Sequence, residues 1–172
     1  MNVEVDEKKF KSKGEAQMYQ QYIKRWLTSK DLIIHQEMPL NRYGMPRALR
    51  ADFLICNKWD TPLAVIEVNG DQHYTDSIIM ERDKYKKDWC HENCILYLYG
   101  DWNGKILDFY RWNGVINADD WECMEAFEEA LKVINRLGDT NETIEERKHT
   151  REIEKEKYVQ YMKDLMNLGW IL

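Results

Sequence analysis

The chain is short of several things, and each shortage narrows the reading. None of its 172 residues fall in an apolar run long enough to cross a membrane, so no membrane partner is expected. No segment is low-complexity. Four cysteines are too few for a disulfide framework in a chain of this length, and reduced thiols are expected. The first residues, Met-Asn-Val-Glu-Val-Asp-Glu-Lys-Lys, are polar and partly acidic. They lack the pattern of a secretory signal, and the expected location is cytoplasmic.

An excess of positive charge is also missing. Lys and Arg number 25 against 31 Asp and Glu, for a net charge of −6. Nucleic-acid-binding proteins usually carry a basic footprint, so the overall balance argues against one. The deficit is uneven, however. Residues 1–118 hold 17 acidic and 17 basic side chains, whereas residues 119–172 hold 14 acidic and 8 basic. Local basic clusters therefore remain available in the neutral portion.

What is present is a large aromatic stock, seven Trp and ten Tyr, in a chain long enough for one domain with an appendage. Tyr19, Tyr22, Ile23, Trp26 and Leu27 follow one helical face, predicting a helix over 14–29 with Glu15 in its first turn. Strands are predicted over 32–38, 49–56, 63–69, 94–99 and 105–112. The second and third of these form a hairpin that brings Asp52 near Glu67. A helix is predicted over 76–93, with Ile78, Arg82, Tyr85 and Trp89 along one face. Asn103-Gly104 signals a hairpin turn. Two helices, 121–137 and 142–168, form an acidic extension from residue 119. Its stripe of Tyr158, Tyr161, Met162, Leu165 and Leu168 is expected to dock on the core, a second copy of the chain or a protein partner. The fold class is α/β or α+β with a mixed sheet flanked by helices. The expected division is a core over 1–118 and the helical extension over 119–172.

The chain is organised around residues 64–74. Val65, Ile66 and Val68 read as a buried strand interrupted by Glu67 and Asn69, which share one face. Gly70 ends it, and Gln72 and His73 follow at once. A carboxylate inside an apolar strand demands a compensating partner. Asp52 on the neighbouring strand and Glu15 on the preceding helix complete an oxygen-rich group of the kind that suits Mg²⁺. Taken alone, Glu67 would read as a strand-end carboxylate paired with an arginine.

The run Ile66-Glu67-Val68-Asn69-Gly70-Asp71-Gln72-His73, with Asp52 and Glu15 upstream, resembles the PD-(D/E)XK nuclease superfamily. It is most similar to a branch with an E-x-D/N-G-x-Q-H motif related to very-short-patch-repair endonucleases. Glu81-Arg82-Asp83-Lys84-Tyr85-Lys86-Lys87 and Cys94-Ile95-Leu96-Tyr97-Leu98-Tyr99 occupy the places of the helix and apolar strand that follow there. The resemblance covers about residues 14 to 100. It implies a restriction-endonuclease-like fold and Mg²⁺-dependent cleavage of DNA, with Mn²⁺ tolerated. It also implies that Asp52, Glu67 and the Val68 carbonyl hold the metal, with Glu15 joining through water or at a second ion. Asn69 stands where the superfamily has lysine. An amide is no general base at neutral pH, so Gln72, His73 or the metal alone must activate the water. Tyr97 and Tyr99 stand where relatives carry an arginine, and residues 119–172 have no counterpart.

Arg50, Arg82, Lys84 and Lys87, with Lys86, Arg42 and Arg47 nearby, form a candidate phosphate track, although charged helical faces are commonly just solvated. The cluster Cys90-His91-Glu92-Asn93-Cys94, with Cys56, Cys123 and His73, has unsuitable zinc spacing, so metal-free core thiols are expected. Two rival readings share the fold. One is an RNA-directed nuclease. The other is a binding module that lost catalysis through Asn69.

Overall fold

A computed structural model describes residues 10–24, 31–70, 75–103, 107–112, 121–122 and 124–170. Gln72 and His73 lie outside the described residues, as do the Asn103-Gly104 turn's glycine and the end of the first predicted helix. The element order is α1 (Lys13–Met18), β1 (Ile33–Pro39), β2 (Arg50–Cys56), β3 (Pro62–Asn69), α2 (Ser77–Glu92), β4 (Leu96–Trp102), β5 (Leu107–Trp112), β6 (Trp121–Glu122), α3 (Met124–Gly138) and α4 (Ile144–Asn167). A π turn, Tyr19–Ile23, continues α1.

The strands form one six-stranded sheet in sequence order. β1, β2 and β3 pair antiparallel, β3 and β4 pair parallel through the α2 crossover, and β5 and β6 return antiparallel. The α/β class with a mixed sheet is therefore as expected.

Two apolar clusters cover the two faces. Met18, Tyr19 and Ile23 pack with Phe53, Ile55, Ile66, Ala130 and Ile134 on one side. Leu54, Cys56 and Val65 pack with Trp89 and Cys90 on the other. Alternation along β2 from Phe53 to Cys56 and along β3 from Ala64 to Ile66 sends successive side chains to opposite clusters. Ala51 departs from it, lying with Leu54 rather than Phe53, and so does Leu63, which shares a cluster with Ala64.

Three expectations need correction. Trp121–Glu122 is a strand, not the first turn of a helix, because β5 takes it as a backbone partner along its outer edge. The core also continues past residue 118, since α3 supplies Ala130 and Ile134 to the first cluster. Finally, of the places expected for the apolar stripe of α4, the core is not the one its outer half takes. Tyr158, Tyr161 and Leu168 are exposed, and only the inner turns are held, by Ile144 and the buried Arg147.

α2 is rotated from its predicted face. Ile78 is 61% exposed and Arg82 is exposed, whereas Asp83, Lys86, Trp89 and Cys90 are buried. Their spacing of three and four places them on one helical stripe. The stripe faces β3, where a buried carboxylate needs a cation.

Gly14 fixes how close α1 comes to the sheet. A Cβ there would sit 2.8 Å from Val68 Cγ1 and 2.9 Å from Trp102 Cγ. Gly14→Ala should push α1 outward and destabilise the fold by about 1–3 kcal/mol, the usual cost of overpacking. Chemical denaturation measures it, and a wild-type midpoint would refute the close-packing account.

Candidate active site

The site forms where β1, β2 and β3 part. The β2–β3 ladder runs through Phe53 and Ile66. One step beyond, Asp52 and Glu67 use their side chains instead. Asp52 Oδ2 accepts the Val68 N–H at 2.8 Å, and Glu67 Oε2 accepts the Asp52 N–H at 3.4 Å. The expected approach of Asp52 and Glu67 is thus found.

β1 contributes a residue that the sequence reading did not single out. Gln36 pairs with Phe53 and Met38 with Ala51, but Glu37 between them has φ of 47° and drops out of the ladder. Such a conformation is costly for a non-glycine residue and tends to gather at functional sites. A potential ligand oxygen from each of Glu37, Asp52 and Glu15 lies within 4.8 Å of the others.

Glu15 arrives from the first turn of α1. Ser12 caps α1, accepting the Glu15 N–H at 3.1 Å, and Glu15 Oε2 accepts the Lys11 N–H at 3.1 Å. Burial, then the charges of Asp52 and Glu37, push the Glu15 carboxyl from its ordinary 4.5 up to about 7. Folding therefore favours protonated Glu15. Its contribution to stability is complete below pH 4.5 and is lost as pH rises through about 7. In EDTA the melting temperature should fall across that window, and Glu15→Gln should flatten the fall. Equal pH profiles for the two proteins would contradict this account of Glu15.

Glu67 is only 2% exposed and is neutralised by a residue from α2. Lys86 Nζ lies 2.5 Å from Glu67 Oε1, 3.4 Å from the Arg50 carbonyl oxygen and 3.8 Å from Asp83 Oδ1. Burial works against the Lys86 charge. The attraction of Glu67, then Asp83 and Asp52, outweighs it and holds the ammonium above its ordinary range. A lysine in that state donates hydrogen bonds and positive charge at neutral pH and takes no proton. Asn69 follows Glu67 on the same strand face and is buried, with its Oδ1 unpartnered among the described residues.

The resemblance implies Asp52, Glu67 and the Val68 carbonyl as the metal's ligands. The carboxylates that come together with Asp52 are those of Glu15 and Glu37, while Glu67 is engaged with Lys86. Glu37 Oε1 is buried without a hydrogen-bond partner among the described residues. An unpartnered carboxylate oxygen beside two further carboxylates fits a hard divalent cation. Val68 is tied to Asp52 through its backbone N–H.

The candidate phosphate track is dispersed. Arg50 is exposed and its Nη1 donates to the Glu37 carbonyl oxygen at 3.2 Å, bordering the carboxylates. Arg82 is exposed, and Lys84 pairs with Asp88 at 2.6 Å. Lys87 Nζ lies 5.7 and 5.0 Å from the ring centroids of Tyr97 and Tyr99. A helix thus brings a cation to the strand where the resemblance expects an arginine. Arg47 is held by Glu81 at 2.5 Å and stands over the Tyr85 ring.

A second polar cluster lies at the other end of β2. His35 Nε2 is 2.8 Å from Asp60 Oδ1, and the Tyr43 hydroxyl donates to the same carboxylate at 3.1 and 3.2 Å. Cys56 borders it, its thiol pushed up first by burial and then by the Asp60 charge. His35 and Tyr43 already supply hydrogen bonds to Asp60. Cys90 is buried separately, in the cluster under α2.

Comparison of the chain with protein-family models, curated proteins and solved structures gave no match.

Proposed function

We propose that this chain is a Mg²⁺-dependent endonuclease that hydrolyses phosphodiester bonds in DNA, built on a restriction-endonuclease-like core. The observation that carries the reading is the meeting of Glu15, Glu37 and Asp52 beside the buried Glu67–Lys86 pair. The Glu67 motif and its order in the chain support the same reading. The meeting point lies towards the carboxyl end of β3, whose parallel neighbour is β4, and the carboxyl ends of parallel strands are favoured places for ligands.

Glu15, Glu37 and Asp52 would hold the cation, and Mn²⁺ suits the same oxygens. When bound, the metal supplies charge stabilisation at a phosphoryl oxygen and acidifies a coordinated water. The chain does the positioning. The Val68 N–H fixes one Asp52 oxygen. Glu67 holds Lys86 in place, and Lys86 contributes a fixed positive charge for an anionic backbone. This supplies the cation that Asn69 lacks, from the helix rather than from the strand. Exposed Arg50, Arg82 and Lys84, with half-buried Lys87, would follow the phosphates on either side.

The test is incubation of pure protein with plasmid, single-stranded DNA and RNA, each with Mg²⁺, Mn²⁺ or EDTA. Nicked or linear plasmid with either metal and intact plasmid in EDTA are expected. Cleavage of RNA alone would transfer the reading to an RNA-directed nuclease. Metal binding without cleavage of any substrate would favour the binding module.

A further inference from the structure

A cavity of about 690 Å³ opens at the start of β4, away from the carboxylates. The end of α2, the end of α3 and the inner turns of α4 enclose it. Its apolar wall includes Ile95, Leu96, Val133 and Leu137, and three arginines, Arg136, Arg147 and Arg151, also line it.

Two of those guanidinium groups are spent on backbone only. Arg147 is 5% exposed, and its Nη1 and Nη2 donate to the Pro62 and Glu142 carbonyl oxygens at 2.7 and 3.5 Å. Arg151 donates from Nη1 to the His91 carbonyl oxygen and from Nη2 to that of Glu92 at 3.0 Å. These bonds have a structural purpose, since they cap the carbonyl end of α2 and tie α4 to β3. They do not complete either group. The Nε atoms of Arg147 and Arg151 are both buried without a hydrogen-bond partner among the described residues. Glu142 and Glu154 also line the cavity, and the Glu142 charge favours the Arg147 cation without outweighing its burial.

Three guanidinium groups gathered beside one cavity, two of them bonded only to backbone oxygens, leave positive charge there to be matched by an anion. Guanidinium geometry matches the oxygens of a phosphate, and three such groups suit a doubly charged terminal one. The cavity size is that of small-molecule sites, and its apolar wall calls for an uncharged body behind the anion. We propose that this cavity binds a phosphomonoester with a planar or apolar body, of nucleoside monophosphate size. The phosphate would come either from a free nucleotide or from the 5′-phosphorylated end of a strand. The proposal does not depend on the nuclease reading.

The test is calorimetric titration of the full chain in EDTA, which withholds divalent ions from the carboxylate site. The probes are AMP, adenosine, inorganic phosphate and a short oligonucleotide with and without a 5′-phosphate. AMP should saturate, with adenosine and inorganic phosphate each weaker by about tenfold or more, the worth of one charge-assisted hydrogen bond. The oligonucleotide pair separates the two sources. If only AMP saturates, the source is the free nucleotide. If the phosphorylated oligonucleotide binds and its unphosphorylated form does not, strand ends are accepted. Arg147→Met risks the fold, so the decisive variant is Arg136→Ala, an exposed position with no structural bond among the described residues. It should weaken AMP by about tenfold as well. No saturation by AMP, equal binding of adenosine, or unchanged affinity in Arg136→Ala would each overturn the proposal.

Discussion

Asp52→Asn should lower metal-dependent cleavage by about a hundredfold or more, the scale seen when one group that stabilises transition-state charge is removed. The same substitution should raise the melting temperature in EDTA. The first effect follows from position. Asp52 is the carboxylate close to both Glu15 and Glu37 and adjoins Glu67 across the hairpin. The second follows from charge. Asp52 is among the causes that push up both Glu15 and Glu67, so its neutralisation relieves a repulsion that the metal-free fold must bear. Asparagine keeps an oxygen for the Val68 N–H, so the local backbone should survive. Opposite signs for activity and stability mark a functional carboxylate, because a purely structural one would lose both. Plasmid cleavage with Mg²⁺ and thermal unfolding in EDTA read the two arms. Undiminished cleavage in Asp52→Asn would remove the carboxylate cluster from the mechanism.

Much of this site was legible in the sequence, and the exceptions have identifiable causes. Asp52 and Glu67 could be placed because two-residue alternation and a short connection fix a hairpin's register. Glu15 could be associated with them because a helix preceding β1 must pack on the sheet, and Gly14 lets it pack closely. Glu37 left no mark in the pattern. It sits in an ordinary strand sequence, and its role arises from one backbone angle that takes it out of the ladder. Trp121 and Glu122 joined the sheet for a similar reason, since pairing with β5 outweighed local helical preference.

Lys86 was obscured differently. It stands in a run of basic residues that read either as a phosphate track or as a solvated face, and the helical periodicity of α2 pointed to Ile78, Arg82, Tyr85 and Trp89. The buried stripe of Asp83, Lys86, Trp89 and Cys90 is half polar. A hydrophobic pattern cannot find a helix face that is turned inward by a charge. The useful signal was Glu67 itself: an unmatched carboxylate in an apolar strand implies a cation on whichever element covers it.

Lys86→Ala should therefore damage both fold and activity, and a pair of substitutions can separate them. Removing the ammonium leaves Glu67 buried and uncompensated, which costs about 3–5 kcal/mol when a buried pair is broken on one side. Lys86→Met combined with Glu67→Gln removes both charges and keeps most of the volume, so it should recover a large part of that stability. It should not recover cleavage, because the fixed positive charge is still gone. Stability that returns while activity stays lost assigns Lys86 a part in the reaction beyond holding α2 to β3. The pH dependence has a definite sign. Because Lys86 is held above its ordinary 10.5, its stabilisation is complete below that value and is lost as pH rises through the folded value. Comparing wild type with Lys86→Met/Glu67→Gln should thus show a stability difference that falls as rising pH ionises Glu67, which burial and then Asp52 push well above its ordinary 4.5, and falls again in alkali as Lys86 loses its proton. Asn69→Lys offers a further check on the same geometry. It would add a second ammonium on the strand face that Lys86 already serves, so it should lower the rate rather than raise it. Faster cleavage by Asn69→Lys, or full activity in the double variant, would show that Lys86 does not fill the place left by the strand's missing lysine.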